Sequence, residues 1–162
     1  MNKFIVLAVV AVAAYFVLFK DTFDTDLHFD GQTYSHVSKV RGGDVTNHFY
    51  TPGGESFKTA TSSIQIVELG ENMQDRSVRR DRLSGLFSQY NLTPVGNEPL
   101  EVAGNAERAG VFFSAYSAPI SVKGMEHQAF YLFTASDKPS GRTAAETEDF
   151  IDQLKGLGTD LD

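Results

Sequence analysis

The sequence predicts an α+β protein, in which an N-terminal transmembrane helix precedes one domain with a mainly antiparallel sheet packed by two main helices. Three observations predict it. Residues 4–19 carry no charged or strongly polar side chain and are flanked by Lys3 and Lys20. Beyond them, short β-prone runs are separated by Gly- and Pro-containing turns. Two helical periods, one in mid-chain and one at the end, interrupt and close those runs. Strands and helices grouped in this way, without strict alternation, are the pattern of an α+β domain.

As a helix, the sixteen residues of FIVLAVVAVAAYFVLF reach about 24 Å at roughly 1.5 Å per residue. The hydrocarbon core of a bilayer is about 30 Å thick, and a snorkelling Lys3 and Lys20 extend the reach. Phe4, Tyr15, Phe16 and Phe19 stand where interfacial anchors belong. A cleaved export signal is the alternative, since Ala11, Ala13 and Ala14 offer small residues. Cleavage there leaves Tyr15 to Phe19 as an apolar new terminus, and no Cys follows for a lipoprotein signal. The expectation is therefore a signal-anchor over 1–20 and an acidic juxtamembrane stalk over 21–26. An extracytoplasmic domain over 27–158 and a loose tail over 159–162 follow. The flanking charges favour a cytoplasmic N-terminus and a body in the periplasm, tethered to the inner membrane through residues 4–19. With cleavage the body is a soluble periplasmic protein.

With Lys3 and Lys20 set aside, twelve of the fourteen bases remain against 21 acids, a net charge of −9. That argues against nucleic acid or anionic lipid as the main partner. The absence of Cys excludes disulfides, thiol catalysis and thiolate metal sites. Thirteen Phe and six Tyr supply core volume in a chain without Trp.

LHFDGQTYSHVSKV reads as a hairpin about Asp30-Gly31. RGGD (41–44) is a second turn, VTNHFY (45–50) a third strand, and Thr51-Pro52-Gly53-Gly54 its end. Residues 55–61 suit one or two helical turns. SIQIVEL (63–69) alternates as a strand. In QDRSVRRDRLSGLFSQYNLTP, Leu83, Leu86, Phe87 and Tyr90 form one apolar helical stripe, with Asn91 as C-cap and Pro94 as stop. Gly85 within it suggests a close packing contact. Runs 99–104, 108–118 and 126–136 are three further strands, the last two apolar on both faces and hence central in a covered sheet. The final helix opens on a capping box from Thr143 to Glu146, buries Phe150, Ile151, Leu154 and Leu157, and ends at Gly158.

FYTPGGESFKTATSSIQIVEL, a Tyr-x-Pro-x-Gly entry into a strand and then a helix, resembles the opening of PsbP/Mog1-type α/β/α sandwiches. Three strands and a closing helix match over about residues 45–157, although no strand follows the final helix. The resemblance implies a non-enzymatic binding or assembly protein and carries over no functional residue.

Two constellations invite a chemical reading. If residues 24–30 are extended, Asp24, Asp26, His28 and Asp30 share one face and offer oxygen and imidazole ligands to a divalent cation, with His36 or His48 completing the set. The plainer reading is an edge strand made soluble by acids. Arg76, Arg79, Arg80 and Arg82 form a basic run in an acidic protein and suit an acidic partner surface; the plainer reading is a solvated helix face. Gly-rich turns lack the Gly-Lys-Ser/Thr of a phosphate loop, and no G-x-S-x-G elbow is present. The sequence thus points to a membrane-tethered periplasmic accessory protein without catalytic set or cofactor, binding another envelope protein. A periplasmic domain for a small ligand or lipid, with Tyr90 and the aromatic strands around a pocket, is the alternative; a metal-dependent hydrolase is the third.

Overall fold

The computed structural model describes residues 21–135 and 144–162. Eight strands make one sheet: β1 (Leu27–Phe29), β2 (Gln32–Gly42), β3 (Val45–Pro52), β4 (Ser62–Leu69), β5 (Thr93–Val95), β6 (Glu98–Arg108), β7 (Val111–Val122) and β8 (Met125–Ala135). Their order is β1-β2-β3-β4-β8-β7-β6-β5, with every neighbouring pair antiparallel. Two meanders therefore meet where β4 pairs β8, from Ser62 opposite Phe133 to Val67 opposite Gln128. Helix α1 (Arg76–Gln89) follows β4, and α2 (Ala144–Leu161) ends the chain. Two 3-10 turns, Thr22–Asp24 and Glu71–Met73, complete the described elements.

This corrects the expected fold class. The described residues form a half-barrel of eight antiparallel strands with two helices, and no helix among them is long and apolar enough to cross a membrane. The expected transmembrane segment 4–19 and the Thr143 cap lie outside the described residues. Residues 55–61 form turns and no helix. Residues 21–26 are not a free stalk, because Phe23 is buried against the sheet.

Alternation assigns the two faces. Ile64, Ile66, Tyr116, Ala118, Ile120, Ala129 and Tyr131 point to the face covered by α2, where Phe150, Ile151, Leu154 and Leu157 complete the core. The rings there interlock: Phe29 lies 4.6 Å from Tyr131 and Tyr116 lies 5.2 Å from Phe150, centroid to centroid. Each ring or aliphatic side chain buried in this way contributes about 1.5–3 kcal/mol. Val67, Leu69, Val102, Ala115 and Phe130 point to the other face, where Leu83 and Phe87 of α1 meet them. The helix stripe read from the sequence is the one that packs there. Asp75 caps α1 by accepting from Ser77 N and Val78 N, and Asn91 leaves it at φ 52, the left-handed residue of a C-terminal cap.

Tight hairpin turns at Asp30-Gly31, Ala109-Gly110 and Lys123-Gly124 each carry two residues at positive φ, the twist that a right-handed β-ribbon requires. Strand β7 runs through Pro119 because β6 pairs it only as far as Ser117; no ladder bond on that side asks for the missing N–H. The two helical glycines of interest divide differently from expectation. Gly85 has open space around it, whereas α2 continues past Gly158 to Leu161. A Cβ on Gly158 would collide with the Ser121 carbonyl, so this glycine lets α2 lie on β7 and does not end the helix.

Gly158→Ala is expected to destabilise the domain by about 2 kcal/mol through overpacking. Gly156→Ala, two residues away with nothing within 4 Å, is expected to stabilise it by up to about 1 kcal/mol. Urea denaturation of both variants measures the contrast.

Candidate functional site

A buried cation organises the region between the sheet and α1. Arg79 is fully buried; it donates to the carbonyls of Met73 (3.3 Å) and Gln74 (3.2 Å) and to the Glu126 carboxylate (3.0 Å). Arg76 bridges Glu126 and Glu98, each at 2.8 Å. Gln74 closes the ring of contacts by donating to the Glu126 carbonyl (3.1 Å) and accepting from the Glu126 N–H (2.8 Å). Hydrogen bonds from Arg76, reinforced by Arg79 against the effect of burial, hold the Glu126 carboxyl below its ordinary range.

The predicted basic face is therefore split. Arg79 stands one turn before Leu83 and two before Phe87, on the stripe that packs inward, and Arg76 is held by two carboxylates. Neither is free for a partner, which corrects the reading of both. Arg80 and Arg82 remain exposed and make no ion pair among the described residues.

Arg82 stands on the rim of a groove of about 370 Å³ between α1 and the β2–β3 hairpin. Val45, Val67, Leu69, Met73, Leu83 and Leu86 make its apolar wall, and Asp44 lies at the hairpin end. Nothing there pairs a nucleophile with a base. The groove can accept an apolar side chain and, beside it, a group that satisfies a guanidinium.

The predicted metal ligands are not brought together. Asp24 belongs to a 3-10 turn, so the extended face begins only at Leu27, and its carboxylate lies 3.2 Å from His36 Nδ1. His28 lies beside Asp160, whose carboxylate accepts from the His28 N–H at 2.6 Å. Asp30 sits in the hairpin turn, and its N–H donates to Gln153 at 3.0 Å. Asp26 is exposed. Among the described residues no group of three or more His, Asp or Glu is arranged to hold a metal ion.

A cluster that the sequence reading did not assemble lies at the other side of β4. His48 is fully buried, stacked 4.4 Å under Phe23 and bonded through Nε2 to Glu68 at 2.9 Å. His36 is 5.6 Å from His48, ring to ring, and His127 is 5.4 Å from Phe23. The His127 Nδ1 accepts the backbone N–H of Leu69 at 3.0 Å, just beyond the last β4–β8 pair. Phe23, Glu68 and His127 border an open cleft of about 800 Å³ that Arg41, Asn72 and Lys123 also line. The signal was present in the sequence: His36 and His48 share a face with Tyr34 and Tyr50, but only the register of β2 on β3 places them together.

No family model, curated protein or solved structure matches this chain.

Arg79→Ala is expected to cost about 3 kcal/mol, because Glu126 and two carbonyls lose a buried partner, whereas Arg82→Ala is expected to stay within about 0.5 kcal/mol. Equilibrium urea unfolding separates the two. Because the Glu126 pKa is depressed on folding, its contribution is complete well above the ordinary value of 4.5 and is lost as pH falls through the folded value. Glu126→Gln is therefore expected to lower stability at pH 7 and to flatten its fall below pH 4.5, read from melting temperature against pH.

Proposed function

We propose that this chain is a non-enzymatic binding protein, an accessory subunit that docks a segment of another envelope protein into the groove beneath Arg82. The observation that carries the reading is the pairing of an apolar wall with an exposed guanidinium on its rim, in a body of net charge −9. A segment presenting one apolar side chain next to a carboxylate fits both features. Because the body as a whole repels an acidic partner at long range, affinity rests on the apolar contact and on the close guanidinium–carboxylate pair.

Two further observations support a partner over a lipid or small ligand. The space between the sheet and α2 is filled by Phe29, Tyr116, Tyr131 and Phe150, whose rings pack on one another. Tyr90 packs near Phe113, at 6.3 Å. The role agrees with what the resemblance to PsbP/Mog1-type sandwiches implies. The location that goes with it is the periplasmic side of the inner membrane, with residues 4–19 as tether or as cleaved export signal.

A photo-crosslinking residue placed at Arg80 is expected to give a discrete protein adduct in intact membranes, and one placed at Lys155, on α2, none. Adding Arg82→Glu to the Arg80 probe is expected to weaken the adduct about tenfold, the worth of about 1.4 kcal/mol. Lipid adducts alone, or equal adducts from both positions, would reject the reading.

A further inference from the structure

We propose that residues 21–26 are held to the sheet by an acid-released latch, in which neutral His36 and His127 keep the Phe23 strap closed and protonation frees it. The strap is a defined contact. Phe23 stacks on His48 and meets His127 edge-on; its carbonyl accepts the Tyr50 hydroxyl at 2.6 Å. Asp24 faces His36, Asp21 accepts from Lys39 at 2.9 Å, and Thr22 accepts from Lys123 at 2.7 Å.

Each ring is placed so that its second proton has nowhere to go. A neutral imidazole carries one N–H and one lone pair. His48 Nε2 donates to the Glu68 carboxylate, and the Asp24 carboxylate, 3.2 Å from His36 Nδ1, favours the N–H at that atom. That leaves the lone pairs on His48 Nδ1 and His36 Nε2, both buried and without a hydrogen-bond partner. On His127 the lone pair is at Nδ1, already occupied by the Leu69 N–H. A proton added at His36 Nε2 meets no acceptor, and one added at His127 Nδ1 meets a donor. Leaving a buried donor unsatisfied costs about 1–3 kcal/mol.

The charged groups around the cluster pull in both directions. Asp21 and Asp24 on the strap and Glu68 on β4 favour imidazolium; Lys39 on β2, Arg79 on α1 and the rings themselves oppose it. Burial outweighs the carboxylates and holds His36 and His127 below the ordinary value of 6.5. Tyr50 stays protonated and keeps its bond to the strap, since burial pushes its hydroxyl far up. With the pKa depressed in the closed form, the open form binds more protons. The closed form is therefore fully favoured above about pH 6.5 and loses ground as pH falls below it. Between pH 7.5 and 5.5 a ring kept neutral in the closed form lowers the closed-to-open ratio by at most about tenfold. Release frees six residues, about 20 Å of extended chain, between residues 1–20 and the sheet. The latch does not depend on the docking groove being used.

Hydrogen exchange on the full chain, corrected for intrinsic rate, tests this. Protection at Phe23 and Asp24 is expected to fall severalfold from pH 7.5 to 5.5 while the β7–β8 amides keep theirs. Phe23→Ala is expected to open the strap at both pH values, and His36→Gln with His127→Gln to flatten the response. Unchanged protection at pH 5.5, or loss of the strap and β7–β8 together, would overturn the latch. If the double variant does not fold, the wild-type midpoint decides. A midpoint tracking the histidine ring signals supports the latch, and one below pH 4.5 assigns the change to carboxylates and overturns it.

Discussion

The buried guanidinium of Arg79 is the constraint on which the layout of this molecule depends. It ties together three pieces distant in sequence: the 3-10 turn after β4, the first turn of α1 and the first residues of β8. A buried cation needs acceptors for its donors, and Nε and Nη2 find them here in two carbonyls and one carboxylate, while Nη1 is buried without a partner. That requirement fixes how α1 enters the second face of the sheet. The distance between α1 and the β2–β3 hairpin follows from it, and so does the groove.

Much of the architecture was legible because it follows from alternation and period. The stripe of Leu83 and Phe87, the double-faced apolar strands and the strand at 63–69 are direct consequences of side-chain direction, and the structure uses each of them as core. The transmembrane part of the predicted fold class is not a property of the described residues. Gly158 and Asp24 show where local rules lose to packing. Helix-ending glycine chemistry was available at 158, but closeness to Ser121 needed the missing Cβ more. Strand alternation from Asp24 onward fails because Phe23 turns inward to a histidine and bends the chain into a 3-10 turn.

The candidate sites were less legible, for a different reason. Arg79 occupies a stripe position, yet a charge on an apolar stripe is readable as a core residue only when its counter-charge is known, and Glu126 is 47 residues away. Turns at Ala109-Gly110 and Lys123-Gly124 lack the Asn or Asp that marks such turns, so the strand ends shifted and the position of His127 beside Leu69 could not be derived. The histidines that meet the 21–26 segment come from β2, β3 and β8, which are brought to one end only by the sheet order.

The groove and the histidine cluster meet in one residue. Leu69 turns its side chain into the groove on the α1 face, while its backbone N–H is the donor that fixes the His127 tautomer on the other. Its neighbour Glu68 alternates to the opposite face and holds His48. The last two residues of β4 thus serve both surfaces through a strand one residue thick, and antiparallel pairing to β3 leaves Leu69 opposite Val45, itself a groove residue. Moving Leu69 to admit a side chain into the groove therefore moves the donor that His127 accepts. Holding that donor in place limits how far the groove floor can yield. The geometry makes each site a mechanical constraint on the other, carried by a single backbone amide at the end of a strand.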